Sequence, residues 1–236
     1  MKRILLLFTL FTLGATLPAQ PDKEGFYKPV NKVVEGWTIE VEPVLLEAKN
    51  KSTADKAFTA LANHLQRVKY ILPAARVKEL QTIRIRLELH NERMGAMQYH
   101  PSRQWLRANR HDPALAKHVH LPRAKSLYAP HMWAKHPYVV LHELAHAYHD
   151  QVLRFNNKEI IEAYNAAKKA GIYEKVMLYT GRTVRHYGLN NHKEYFAEST
   201  EAYLGVNDFY PFVRGELKKH DPRMYKIMEK VWGPVR

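Results

Sequence analysis

The run Val139-Val140-Leu141-His142-Glu143-Leu144-Ala145-His146-Ala147-Tyr148 sets two histidines and a glutamate in an otherwise uncharged stretch. On a helix, residues four apart share a face, so His142 and His146 can aim two imidazoles at one metal ion. Glu143, one residue along, can reach a water on that ion. Two histidines and a carboxylate in an apolar helix carry a desolvation cost that a bound cation offsets. The chemistry such a set supports is hydrolysis of an amide bond: zinc polarises the carbonyl and Glu143 moves the proton. The bland alternative is a structural histidine pair with its hydrogen bonds satisfied.

A hydrolytic zinc site takes three protein ligands and keeps one position open. The chain has no cysteine, which excludes thiolate zinc sites and thiol catalysis and leaves histidine or carboxylate as the third ligand. His149 is nearest, but seven residues from His142 is about 10 Å along a helix, too far for one ion. The longer pattern H-E-x-x-H-x-x-G-x-x-H also fails, because His149 stands where it needs glycine and Val152 where it needs histidine. A distant ligand remains. A helix expected from about Asn191 carries Glu194, Glu198 and Glu201 at i, i+4 and i+7, with apolar Tyr195-Phe196-Ala197 between them. Just upstream, His186 and Tyr187 are rival donors to a developing oxyanion. Alternation along a strand would let one of them face the metal.

The segment Tyr187-Gly188-Leu189-Asn190-Asn191-His192-Lys193-Glu194-Tyr195-Phe196-Ala197-Glu198 resembles the second motif of the anthrax toxin lethal factor catalytic domain and the related Pro-Pro endopeptidases. Those proteins carry an H-E-x-x-H helix, then a tyrosine, then seven residues later a glutamate opening an E-[FY]-F-A-E segment. The resemblance covers two short motifs over about residues 139–203. It implies a zincin-like metallopeptidase with Zn2+ held by His142, His146 and Glu194, with Tyr187 as the donor to the oxyanion. It also implies that residues 119–128 form an edge strand on which extended substrate pairs. Glu198, one turn beyond Glu194, is a candidate acceptor for the second ring nitrogen of His142 or His146, with Asp150 as the alternative.

The elements that must position these residues read as α+β. Trp37–Val41 alternates as a strand. Ser52, with Asp55 three residues later, is expected to cap a helix striped by Ala57, Leu61, Leu65, Val68 and Leu72 and ended by Pro73. Residues 82–89 alternate strictly, predicting a half-buried strand with a charged outer face. A helical turn is expected around Trp105 and a short strand at 119–121. The motif helix should run from His136-Pro137 to about Phe155. A second helix follows over about 158–170, and 182–187 form a strand. Pro211 and Pro222 open two last helices. This order predicts a mixed N-terminal lobe over about 25–135 and a mainly helical C-terminal lobe over about 136–236, with the motif helix at their boundary. His118, His120, His131 and His136 lack ligand spacing and are expected in loops or on the surface.

Lys2 and Arg3 precede an apolar run over 4–17 that exits through Leu17-Pro18-Ala19, the pattern of a signal peptide cut after Ala19. Residues 20–236 are then one domain, secreted or periplasmic, with no stable membrane insertion after cleavage. The formal charge is +14, which favours acidic partners such as anionic envelope polymers. The basic residues are scattered and carry no nucleic-acid motif, so specific nucleic-acid binding is not expected. The function expected is a secreted zinc endopeptidase acting on a peptide or protein. The alternative is a non-catalytic exported binding protein with a structural or degenerate zinc site.

Overall fold

Glu35 and Gly36 turn the chain with φ of +53° and +96°. Two left-handed residues in succession close a hairpin whose twist matches its strands. These are β1 (Val30–Val34) and β2 (Trp37–Val41), paired antiparallel with Val34 opposite Trp37. The computed structural model describes residues 25–234, so the expected signal peptide lies outside it. β1 is not among the strands expected from the sequence. Four of its residues are exposed, so no buried alternate face leaves a period-two trace.

Three further strands complete a five-stranded mixed sheet: β3 (Ile85–Leu87), β4 (Gln98–Tyr99) and β5 (Val119–Leu121). Their order is β1-β2-β3-β5-β4. β2, β3 and β5 run parallel, and β1 and β4 close the two edges antiparallel. The edge expected at 119–128 is therefore corrected: β5 is flanked on both sides, and the free edge on that side belongs to β4.

The outer face expected for the 82–89 strand is also corrected. Arg86 is 1% exposed and Glu88 4%, and all three residues of β3 are buried. Glu40 of β2 takes the Arg86 guanidinium at 2.8 and 3.1 Å, and Asp112 takes it at 3.2 Å. The chain between β4 and β5 covers this face and turns an alternating charged pattern into a buried ion-pair layer. His120 lies there too, fully buried, against His100 at 3.1 Å and Glu88 at 3.2 Å. It is not the surface histidine its isolation in sequence implied.

Helices cover the sheet and build the rest. α1 (Lys51–Ile71) buries the expected stripe of Ala57, Leu61, Leu65 and Val68. It starts at Lys51, before Ser52, with no side-chain cap, and Asp55 pairs with Lys51 at 2.6 Å. Pro73 follows its end and α2 (Ala74–Leu80) begins at once. α3 (Arg103–Ala108) is capped by Ser102, which accepts from the Trp105 amide at 3.1 Å. α4 (Pro130–Lys135) leads to α5 (Val139–Tyr148), the motif helix. Its expected extension to Phe155 is a π-turn, His149–Leu153, ended by Arg154 at φ +70°.

α6 (Lys158–Ala170) lies between the Asn157 cap and left-handed Gly171. The strand expected at 182–187 shortens to Thr183–Val184, here β7, paired with β6 (Val176–Met177). Tyr187 instead begins a 3-10 turn, Tyr187–Asn190. α7 (His192–Leu204), α8 (Arg214–His220) and α9 (Pro222–Trp232) complete the chain. Pro222 opens its helix as expected, whereas Pro211 precedes α8 by an irregular turn. The lysine pairs 168–169 and 218–219 sit in the last turns of α6 and α8, where a helix favours cations. No helix among the described residues is long and apolar enough to cross a membrane. One apolar core runs from Trp37 to Trp232, and α5 packs within it against α1, α7, β4 and β5.

Glu40 shows how firmly the ion-pair layer is held. Burial alone would raise its carboxyl, but bonds from His118, Arg84 and Arg86 outweigh this and hold it at about 2. A depressed carboxylate contributes stability that is full above its unfolded value near 4.5 and is lost as pH falls towards 2. Glu40→Ala leaves a buried guanidinium short of its main partner and is expected to cost about 3–5 kcal/mol in urea unfolding at pH 7. A loss below about 1 kcal/mol would show that water, not Glu40, solvates Arg86.

Candidate metal centre and its cleft

Asn191 starts α7: its side-chain oxygen accepts from the amides of Lys193 and Glu194 at 2.9 and 3.1 Å. The cap puts Glu194 in the first helical turn, where a carboxylate is favoured by the helix dipole. α7 packs across α5, and three ligand atoms converge. Glu194 Oε2 lies 3.3 Å from His142 Nε2 and 3.1 Å from His146 Nε2, and the two nitrogens are 3.1 Å apart. Tetrahedral zinc with bonds of about 2.0–2.1 Å separates its ligands by about 3.3 Å. The three atoms have that spacing and bring the nitrogen-and-oxygen donor set that zinc accepts.

Hydrogen bonding fixes which ring nitrogen is free. Glu201 Oε1 accepts from His142 Nδ1–H at 2.6 Å, so neutral His142 carries its lone pair on Nε2. That lone pair points at the Nε2 of His146 and at a carboxylate oxygen, an arrangement that a proton or a metal cation relieves. Burial opposes a charge on His142, yet the bonds to Glu194 and Glu201 raise its basicity well above the ordinary value. Burial likewise opposes ionised Glu194, but His142 and His146 hold its carboxyl far below the usual range. The residues fit a bound zinc ion.

The acceptor behind His142 is Glu201, not the expected Glu198, whose oxygen stands 3.7 Å from Nδ1. Asp150, the other candidate, is taken by the Tyr99 hydroxyl at 2.6 Å and by Lys117. One helical turn explains the shift. Glu194, Glu198 and Glu201 share a face, but the crossing of α5 and α7 brings the seventh residue, not the fourth, beneath the His142 ring. Glu201 also accepts from His136 Nε2 at 3.0 Å, so His136, expected on the surface, is part of the site. Glu201 is fully buried. Burial raises it, but His136 and His142 outweigh this and hold it at about 2. Glu198 has no such bond, and burial pushes it up to about 8. The only sequence trace of His136 was its place one turn before the motif helix.

Glu143 is buried beside the ligands and its Oε2 accepts from the Tyr99 amide of β4 at 2.7 Å. Burial raises its proton affinity against the pull of His142 and His146, as a proton carrier requires. A cleft of about 390 Å³ opens over His142, Glu143, His146 and Glu194, with Gln98 and Tyr99 of β4 on one side and Tyr187 on the other. Tyr187 is 47% exposed. Burial, then the Glu194 carboxylate, raises its hydroxyl, which keeps the proton it would donate. His186 turns away: it is 3% exposed, accepts from the Gly188 amide at 2.9 Å and packs on Tyr173 and Phe209. Tyr187 lines the cleft and His186 does not, and a 3-10 turn rather than strand alternation separates them.

No protein-family model matches the chain, and no curated protein sequence does. A solved structure of a Pro-Pro endopeptidase from Paenibacillus alvei superimposes with a TM-score of 0.44 and 21% identity, over 82% of this chain and 95% of that one. The overlay is loose, and the site is read from its own atoms.

Glu201→Gln is expected to weaken zinc binding about 10- to 100-fold in chelator competition, because it removes the charge that orients His142 and raises its basicity. Glu198→Gln should weaken it less. Equal effects, or none at Glu201, would show that the 2.6 Å bond does not set ligand strength.

Proposed function

We propose that this chain is a secreted zinc-dependent endopeptidase. The observation that carries the reading is the convergence of His142, His146 and Glu194 on one point, with Glu143 and Tyr187 on the same cleft. Such a set, open to peptide on one side, serves hydrolysis. Zinc, when bound, polarises the scissile carbonyl and acidifies the attacking water. Glu143 takes the proton of that water and returns it to the leaving amine. The Tyr99 amide holds its carboxylate in place for both transfers. Tyr187 donates a hydrogen bond from its hydroxyl to the carbonyl oxygen as negative charge develops there.

The free edge of β4 lies beside Glu143, and Gln98 and Tyr99 line the cleft. An extended peptide adding to that edge would pass its backbone across the ligands, with alternate side chains facing the protein. This gives β4 the role that the resemblance assigned to residues 119–128.

Cleavage of casein or a peptide library by the zinc-loaded mature chain tests the reading. Glu143→Gln is expected to lower kcat/KM about 10²- to 10⁴-fold while the fold and zinc content persist. Cleavage that survives this change would sink the mechanism. Full zinc content with no cleavage by the unmodified chain would leave the non-catalytic binding protein standing. Tyr187→Phe is expected to lower kcat about 10²- to 10³-fold with KM little changed. A rise in KM alone would make Tyr187 a binding wall.

A further inference from the structure

Beyond Glu143 the cleft continues into a second arm of about 510 Å³. The two arms share Met97, His142, Glu143 and Tyr187. Met97, Met132, Leu178 and Phe209 wall the second arm, and two acidic side chains, Glu198 and Asp208, line it. Glu198 is 2% exposed and Asp208 4%. Glu198 Oε2 and Asp208 Oδ1 have no hydrogen-bond partner among the described residues. The nearby basic groups do not hydrogen-bond these two oxygens: His142 Nδ1 stands 3.7 Å from the other Glu198 oxygen, Oε1. His136 is engaged by Glu201, and Lys135 is exposed at the mouth.

Buried acidic oxygens without partners are costly whether or not the group carries a proton, and each calls for an explanation. Neither contributes to the convergence of His142, His146 and Glu194. An apolar collar ending in carboxylates matches a side chain with a methylene stem and a cationic head. The arm begins at Glu143 and Tyr187, so a side chain entering it belongs to a residue next to the bond being cut.

We propose that this second arm is a specificity pocket for a cationic side chain, lysine or arginine, flanking the scissile bond. The proposal rests on the endopeptidase reading for its substrate, though not for the pocket's preference for a cation. The stem lies among Met97, Met132, Leu178 and Phe209, and the head pairs with Glu198 and Asp208. A site built to bind a charged head rejects the isostere that lacks it, because its own polar groups are then left unpaired.

Two measurements separate the pocket from the reaction. The first compares kcat/KM for peptide pairs that differ only by lysine or norleucine on either side of the cleaved bond. The unmodified protein is expected to prefer lysine on one side by about tenfold or more, and Asp208→Asn to bring the ratio close to one. The second needs no turnover. Saturation-transfer NMR on the zinc-loaded Glu143→Gln protein should detect N-acetyl-lysine amide and not N-acetyl-norleucine amide. Added Asp208→Asn should abolish that difference. Peptides cut without a lysine preference would overturn the pocket and leave the peptidase. Lysine amide bound selectively with no peptide cut would uphold the pocket and overturn the peptidase. A preference that persists undiminished in both Asp208→Asn and Glu198→Gln would also overturn the pocket. The lysine-to-norleucine comparison on unmodified protein decides the matter even if a variant fails to fold.

Discussion

The hydrogen bond from His142 Nδ1 to Glu201, 2.6 Å long between two buried helices, is the constraint on which the rest of the site depends. It selects the tautomer that leaves Nε2 free to bind a metal, and it fixes the ring plane. It also sets the crossing of α5 and α7, because a fully buried Glu201 is tolerable only while His136 and His142 both donate to it. Remove that crossing and Glu194 no longer meets His146. Ligand geometry and helix packing are thus one interaction seen from two sides.

Three separate segments are brought to the same point by local devices of ordinary strength. The Asn191 cap places Glu194 in the first turn of α7. The Tyr99 amide, on a strand of only two residues, holds Glu143. The 3-10 turn Tyr187–Asn190 presents Tyr187 and hides His186. Behind them, Trp232 of α9 donates to Thr200 of α7 at 3.0 Å and packs its ring, tilted by 41°, against Tyr148 of α5. The C-terminal helix therefore braces at once both helices that carry the candidate ligands. Precision at the cleft comes from rigid elements, with the loops contributing one residue each.

The parts of this arrangement that were legible in sequence are those whose signal is local. His142, Glu143 and His146 follow from spacing on one helix. α6 was readable at both ends because Asn157 and Gly171 each do a job few other residues do. The partner of His142 was not readable. Glu198 and Glu201 are equivalent on the helix surface, and only the angle at which α5 crosses α7 chooses between them. The outer face of β3 failed for a related reason. Alternation shows that Arg86 and Glu88 share a face, but not that a later segment will cover it. β1 left no trace because it is solvated on both sides. In each case the missing information is a contact between residues far apart in the chain.

The acidic interior of the cleft stands against a chain whose formal charge is +14. The two fields act at different distances. Surface charge is screened within about 8–10 Å at physiological salt, so it governs encounter. Glu198, Glu201 and Asp208 are buried and Glu194 is partly buried, so these acidic groups act at contact and in a lower dielectric. A cationic group is therefore discouraged at long range and favoured once inside. This separates the question of what reaches the protein from the question of what its cleft retains. An acidic polymer and a basic side chain would therefore not compete for one site: the first would meet the basic exterior, and the second the acidic groups of α7 and Asp208.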